Sequence, residues 1–340
     1  MAEIEETPKM DERVSPEAQR PRTTLASLPP LQYASPRLKH YLEFLPFFLL
    51  HGCFQYLPEP AARALGHALA DASRLVLRRR GAESLGRIRA VLGAAAGQTP
   101  AEKPEAVLRG SYRTFAENWV LLARSRDVGQ KDLELKARLE GFDAVRQLGE
   151  RGIGVIFATC HFGHWERASR LVDLAGFPAA LMAGVQHNPL VDRVINRDRE
   201  RGRNRVLHNR MGVRHAIALL RSGGRLVIVC DVDVGAHGVF VPFLGRPAST
   251  SRWPAELALR TGAWIVPAVT FMEDGGREVL RVAGTLDPGQ YAADHESAVA
   301  AMTGEMNQLL SREIRAHPEQ WFWMQRRWKT APPGEKKPSP

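Results

Sequence analysis

Gly154-Val-Ile-Phe-Ala-Thr-Cys-His-Phe-Gly-His-Trp-Glu166 reads as a strand that runs into a polar turn and then a helix. Val155 to Ala158 is a short apolar run rich in β-formers, the pattern of a buried strand in a parallel sheet. Polar groups then crowd the exit, with Gly163 permitting a sharp turn. A helical pattern follows at Ala168, Leu171, Val172 and Ala175 and closes at Gly176. His161 is therefore expected in the loop at a strand's carboxyl end, with Glu166 in the first helical turn. In open α/β sheets that edge is where ligands bind. A neutral imidazole there can take a proton from a substrate hydroxyl, and a carboxylate on its other nitrogen fixes the tautomer. Such a pair serves acyl transfer without a nucleophilic serine or cysteine. Spacing alone does not decide it. With 11 histidines and 37 acids in 340 residues, chance supplies about one His-x4-acid match per chain. His187 and Asp192 form a second match, which reads more simply as a helix start: Asn188 caps, Pro189 opens, and Asp192 favours the positive helix end. A capped, solvated loop stays open beside the catalytic reading of His161 and Glu166.

Outward from this stretch, strand signals stand at 153–158, 179–183, 225–230, 264–271 and 278–283, the first four separated by helical patterns. The alternation predicts an α/β fold with a mixed, largely parallel sheet flanked by helices. Pro267 inside the fourth run suggests an edge position or a bulge. The third strand ends in Asp231-Val-Asp233, on the same sheet edge as His161 if the strands are parallel. Two acids invite a metal, but no further ligands stand at convincing spacing, so no metal or cofactor is expected. Gly245-Arg246-Pro247 reads as a turn into Ser249-Thr250-Ser251, which can cap a helix from about Pro254 to Gly262. Arg246 is either a phosphate contact or a turn arginine.

Net charge is +10, which favours anionic partners: nucleic acid, phosphates or an anionic bilayer surface. Arginines recur at 193, 197, 199, 201, 203, 205, 210 and 214, interrupted by Asp198 and Glu200. The segment lacks interleaved aromatics and any nucleic-acid motif, so nucleic acid is the minor alternative. Cys53, Cys160 and Cys230 are widely spaced and odd in number, which reads as reduced thiols.

Residues 1–36 and 331–340 read as disordered tails around a domain at 37–330. Residues 41–57 are the most apolar segment, but Glu43, Pro46, His51 and Gly52 interrupt them. A bilayer span needs about 20 apolar residues. A helix lying in the membrane interface fits better, with Phe44, Phe47, Phe48, Leu49 and Leu50 as its lipid face and Glu43 and His51 reaching water. A core helix is the alternative. On the interfacial reading, removal of residues 1–57 leaves a folded, largely soluble domain. An amphipathic helix is expected from Pro58 to about Arg80, its C-terminus marked by Arg74 and Arg78–Arg80, followed by a helix over about 104–125 whose Tyr112, Phe115, Trp119 and Leu122 face the core. Trp321, Trp323 and Trp328 interleave with Arg326 and Arg327, which suits either a membrane interface or packing on the domain.

These residues resemble a family. His161-Phe-Gly-His-Trp-Glu166 looks like the His-x4-Asp/Glu block of the lysophospholipid acyltransferase superfamily, closest to its lipid A late-acyltransferase (lauroyl/myristoyl) branch. Asn188–Asp192, Asp231–Gly235, Gly238–Ala248 and His317–Lys329 match in order, and the resemblance covers roughly residues 40–330. His164 and Gln325 stand where the family often has Asn and His. The resemblance implies a glycerolipid acyltransferase-like fold with an N-terminal membrane-associating region. It implies transfer of a fatty acyl chain from an acyl thioester, on acyl carrier protein or coenzyme A, to a hydroxyl of a lipid A precursor at the cytoplasmic face of the inner membrane. Another glycolipid or a lysophospholipid is the alternative acceptor. His161 becomes the general base and Glu166 its orienting partner, Arg210 a phosphate contact, and Asp231 and Asp233 structural or acceptor-orienting groups.

Overall fold

The computed structural model describes residues 22–93, 103–208, 212–273, 275–291 and 294–335. An N-terminal helical layer holds α1 (Leu38–Tyr56), α2 (Glu59–Val76), α3 (Arg78–Leu92), α4 (Pro104–Ala123) and α5 (Gln130–Lys136). The α/β part follows as β1 (Ala137–Glu140), α6 (Phe142–Glu150), β2 (Val155–Thr159), α7 (Trp165–Leu174), β3 (Ala180–Ala183), α8 (Pro189–Arg199), β4 (Arg205–His208), α9 (Val213–Arg221) and β5 (Arg225–Val229). A separate hairpin, β6 (Val239–Phe243) and β7 (Arg246–Thr250), leads into α10 (Trp253–Thr261), β8 (Trp264–Met272), β9 (Glu278–Val282) and α11 (His295–Ala316).

The main sheet has seven strands in the order β1-β9-β8-β2-β5-β3-β4, and every neighbouring pair is parallel except β8 with β9. Side chains alternate across a strand, and both faces of this sheet are covered. From β2 onward, Ile156, Ala158 and Cys160 join the core on one face. Val155 and Phe157 join a second core on the other. That double burial is why the strand reads as an unbroken apolar run.

The expected strands all form. β1, β4 and the β6/β7 hairpin carried no such signal, because their short runs mix arginine, proline and serine with the apolar residues. Arg246–Thr250, read as a turn and cap, is strand β7, and α10 ends at Gly262 in a left-handed C-cap as expected. Pro267 is not at an edge. β8 pairs with β2 up to Pro267 and with β9 from Ala268 onward, so Pro267 sits at the changeover, where only its carbonyl is used, by Ala283 N. The missing N–H costs no bond there.

The helical layer also departs from expectation. The helix begun at Pro58 stops at Val76, and Arg78–Arg80 open α3 instead of closing α2. Three cations thus stand at a helix start, which the dipole disfavours. In α1, Phe44, Phe47 and Leu50 turn partly inward, and His51 is buried with its Nε2 2.8 Å from Asp198 Oδ2. The outward stripe is Leu38, Tyr41, Leu42, Leu45, Phe48 and Leu49. His51 therefore does not reach water, and α1 is part of the folded domain. Upstream, Thr23 N bonds Ser222 Oγ and Leu28 is buried, so residues 22–36 lie against the domain. Residues 1–21 and 336–340 of the two expected tails fall outside the described residues. Trp321, Trp323 and Trp328 are all buried, which decides that segment for packing. Among the described residues, no helix is long and apolar enough to cross a membrane.

Candidate active site

β2 and β5 are adjacent and parallel, with Thr159 opposite Val229. Carrying that register past the strand ends sets Cys160 beside Cys230 and His161 beside Asp231. The structure closes this juxtaposition with two hydrogen bonds. His161 Nδ1 lies 2.8 Å from Asp231 Oδ1, and the His161 backbone N–H donates to Asp231 Oδ2 at 2.9 Å. The Asp231 carboxylate also accepts from Trp321 Nε1 at 2.9 Å and Gln325 Nε2 at 2.7 Å. Its side chain is wholly buried, while that of His161 is 27% exposed. Nδ1 is thus committed to the protein, and Nε2 is the ring nitrogen available to a substrate.

The partner that the sequence assigned to His161 is elsewhere. Glu166 occupies the first turn of α7 as expected, but its carboxylate accepts from Arg199 Nε at 2.9 Å and Arg199 Nη2 at 2.5 Å. A bidentate guanidinium fork satisfies both oxygens. The carboxylate that orients the imidazole is Asp231, because its strand lies next to β2.

The electrostatics follow from these contacts. Burial alone pushes the Asp231 carboxyl up, but the His161 ring and the bonds from Gln325 and Trp321 outweigh it and hold it at about 2. Burial disfavours a charged His161, yet Asp231 and then Glu166 overcome this and raise its pKa. Glu166 is pushed up by burial and brought below the usual carboxylate range by Arg199 and His161. The arrangement can supply a general base whose imidazolium form is stabilised as it appears.

The loop that carries His161 is fixed from two sides. Gly163 N donates to Gln320 O at 2.9 Å and Phe322 N to His161 O at 3.0 Å, which ties the loop to the C-terminal segment. Gly163 adopts φ +55°, and a Cβ there would meet the Thr270 carbonyl oxygen at 1.9 Å, so only glycine fits. From α4, Asn118 donates to Gly163 O at 2.7 Å and accepts from Glu166 N at 3.2 Å, satisfying an otherwise orphan N–H at the start of α7. The neighbouring Glu117 bonds His164 Nε2 at 2.8 Å and His67 Nε2 at 2.6 Å. Burial opposes its charge, but His164, Arg63 and His67 hold its carboxyl at about 2. Asn118, Glu117 and Arg199 are residues the sequence did not single out. Their signal is three-dimensional, since α4 and α8 lie far from residue 161 in the chain.

The other expected site residues separate. Asp233 accepts from Thr330 N at 2.9 Å, Thr330 Oγ1 at 2.8 Å and Gly235 N at 2.9 Å, which marks a structural turn. Arg246 stacks on Trp328, its guanidinium carbon 5.2 Å from the ring centroid. Arg210 lies outside the described residues. Much of the arginine series is paired internally: Arg197 and Arg201 with Asp198, Arg199 with Glu166, and Arg203 with Asp173. A continuous phosphate-binding stripe is not presented there.

An apolar cavity of about 460 Å³ opens between α1, α2, α4 and the C-terminal segment; His161 does not line it. Phe322 forms part of its wall, with its ring centroid 6.1 Å from that of His161, and stacks on Phe115 at 4.5 Å. Phe115 and Trp119, expected in the core, line this cavity instead.

The profile of the bacterial lipid A biosynthesis acyltransferases matches residues 32–330. The chain belongs to this family. It is accordingly an acyltransferase, and relatives carry several acceptor specificities in their names. The chain is 27% identical over 281 residues to the lipid A biosynthesis palmitoleoyltransferase of Escherichia coli (strain K12), covering 82% of this chain and 88% of that protein. It is 27% identical over 279 residues to the phosphatidylinositol mannoside acyltransferase of Mycobacterium tuberculosis (strain ATCC 25618 / H37Rv), covering 80% and 84%. The Escherichia coli (strain K12) lipid A biosynthesis lauroyltransferase is 27% identical over 196 residues, 57% of this chain and 62% of that protein. Within an acyltransferase of this family, the His161–Asp231 pair is the candidate for the reacting centre, with the cavity-lining Phe322 ring 6.1 Å from the imidazole.

Proposed function

We propose that this acyltransferase moves a fatty acyl chain from a thioester, carried on acyl carrier protein, to a hydroxyl of a lipid A precursor. The observation that carries the reading is the position of His161: one ring nitrogen is held by a buried carboxylate, the other is not committed to the protein, and the ring lies 6.1 Å from that of Phe322, which lines an apolar cavity suited to an acyl chain. In the reaction, His161 Nε2 takes the proton from the acceptor hydroxyl, and that oxygen attacks the thioester carbonyl. The tetrahedral intermediate collapses with cleavage of the carbon–sulfur bond. The leaving thiolate takes the proton back from His161, so ester and thiol are the only products. Asp231 holds the ring and its charge, and Glu166, pinned by Arg199, adds a second negative charge nearby. The outward stripe of α1, together with Leu75 and Val76 at the end of α2, forms an exposed apolar face suited to the inner-membrane surface. Placement at the cytoplasmic face of that membrane follows from where the donor would be supplied.

A second acceptor is favoured by a specific observation, the similarity to mannoside acyltransferases over four-fifths of the chain. Purified enzyme given one acyl thioester and either a lipid A precursor or a phosphatidylinositol mannoside separates the two. Faster transfer to the lipid A precursor is expected. Preferred transfer to the mannoside replaces the acceptor and leaves the chemistry intact.

A further inference from the structure

The far end of the apolar cavity is not apolar. Ser73, Arg80 and Tyr112 line it there, where α2 gives way to α3. Tyr112 is 5% exposed, and its hydroxyl is buried without a hydrogen-bond partner. Beside it Arg87, itself buried, spends one nitrogen on Ser84 Oγ at 2.9 Å and Trp323 O at 3.2 Å, and its Nε is left without a partner. Arg74 Nε is unpartnered too. The acids of this corner have other cations: Asp71 takes Arg113 on Oδ2 at 2.6 Å and leaves Oδ1 without a partner, and Glu83 lies 3.3 Å from Arg79 and 3.9 Å from Arg326. Among the described residues no carboxylate pairs with Arg74, Arg80 or Arg87. Burial pushes the Tyr112 hydroxyl up and Arg80, Arg74 and Arg87 act against it, while burial lowers Arg87, which Glu83 opposes and Arg326 and Arg246 reinforce.

Buried donors without acceptors are costly, and the cations here outnumber Asp71 and Glu83. An arrangement of this kind is satisfied by an anion with several acceptor oxygens. A carboxylate offers two oxygens in one plane, whereas a phosphate ester offers three in a tetrahedron, which suits Arg80 and Arg87 from α3, Arg74 from α2 and a phenol from α4. The geometry points to a phosphate-binding site formed by Tyr112, Arg80 and Arg87, with Arg74 and Arg326 around it, that holds the phosphate of an amphiphile whose apolar chain lies in the adjoining cavity. The chain half of this inference rests on the acyl-site reading given above. The phosphate belongs either to the arm that carries the donor thioester or to a phosphorylated acceptor lipid.

The probes are dodecyl phosphate and uncharged monododecanoyl glycerol, titrated calorimetrically into the full-length protein below their aggregation concentrations. Tighter binding of dodecyl phosphate is expected. Arg80→Ala and Tyr112→Phe should each weaken it by about tenfold, the worth of one charge-assisted hydrogen bond, with no change for the glycerol ester. Arg80 is exposed and Tyr112→Phe keeps the ring, so neither variant threatens the fold. Equal affinity for the two probes, or variants that bind dodecyl phosphate as the wild type does, overturns the phosphate site and leaves the acyl reading standing. Failure of both probes to bind would instead remove the acyl reading on which the inference rests. In turnover, a KM raised for the thioester alone assigns the phosphate to the donor, and one raised for the acceptor alone assigns it to the acceptor. No change in either KM contradicts the site.

Discussion

His161 is useful only if one nitrogen is held and the other is free, and Asp231 does the holding. Asp231→Asn keeps the shape but presents an amide to Nδ1, so the tautomer is no longer fixed and the imidazolium loses its counter-charge. Turnover should fall by roughly 10²–10⁴-fold, as for comparable orienting carboxylates. The same carboxylate raises the His161 pKa, so the acid limb of the kcat/KM profile should move to lower pH in the variant. An unmoved limb would mean that another group titrates there. Glu166→Gln should move the limb in the same direction by less, since Asp231 is the larger influence on the ring. Linkage gives a stability counterpart. The depressed Asp231 contributes stability above the ordinary carboxylate pKa of about 3.9, and that stability is lost as pH falls toward its folded value. The raised His161 contributes below the ordinary imidazole pKa of about 6.5, and loses that contribution as pH rises through its folded value. The difference in melting temperature between the wild type and Asp231→Asn should therefore shrink as pH falls toward about 2. The placement of His161 was legible in the chain because a strand, a turn glycine and a helix start surround it. Its hydrogen-bond partner was not, since β2 and β5 are neighbours in the sheet but two strands and three helices apart in sequence. Helical spacing brought Glu166 close, and only the strand order shows that Arg199 claims it.

At the scale of elements, the sheet strands were legible because burial on both faces leaves continuous apolar runs. β1 and β4 were not, because each is four residues long and mixes charged or polar residues with the apolar ones, and in the β6/β7 hairpin Pro242 and Pro247 interrupt runs that otherwise include the β-formers Val239, Phe240, Val241 and Phe243. The α2–α3 break was hidden for a similar reason: Leu77 leaves helical geometry without any glycine or proline to announce it. α1 shows the limits of pattern most clearly. Its apolar content fits lipid or core, and both uses occur on one helix. The inner side packs Phe54 into the domain, hydrogen-bonds His51 to Asp198, and receives Asn188 Nδ2 on the His40 carbonyl at 2.8 Å. Removal of residues 1–57 would strip a cavity wall and leave Asp198 without its histidine, so the truncated chain should be destabilised or insoluble. A cooperative, wild-type-like melt of the truncated form would contradict this. The outer side can be tested without harming the fold. Leu42→Glu with Leu45→Glu should leave the melting temperature nearly unchanged and sharply reduce sedimentation with anionic vesicles. Undiminished sedimentation would move membrane contact off α1. The C-terminal segment belongs to the core instead. Trp321→Ala should cost about 3–5 kcal/mol by deleting a fully buried indole. Trp321→Phe should cost less while still removing a donor from Asp231, which a urea titration of both variants resolves.

For the whole molecule, the helical layer and the sheet meet at the loop from His161 to Glu166. β2 delivers the histidine, β5 the aspartate, α8 the arginine on Glu166, and α4 the asparagine that clamps the turn. The family was legible in the chain through its long blocks: His317–Lys329 bonds this loop directly, and Gly238–Ala248 packs Phe243 on Trp321. The acceptor was not legible, because acceptor choice depends on surfaces gathered from separate helices. If the enzyme acylates lipid A precursors in the cell, mass spectrometry of lipid A from a strain lacking the gene should show a species lighter by one acyl chain. The most direct test is the single-turnover rate of acyl transfer from a thioester to a lipid hydroxyl, for full-length wild type and His161→Ala under identical vesicle conditions. The expected result is a loss of roughly 10²–10⁴-fold with an unchanged circular dichroism spectrum, the usual worth of a general base. A folded His161→Ala enzyme that transfers acyl groups within a few-fold of the wild-type rate would contradict the assignment of His161 as the base.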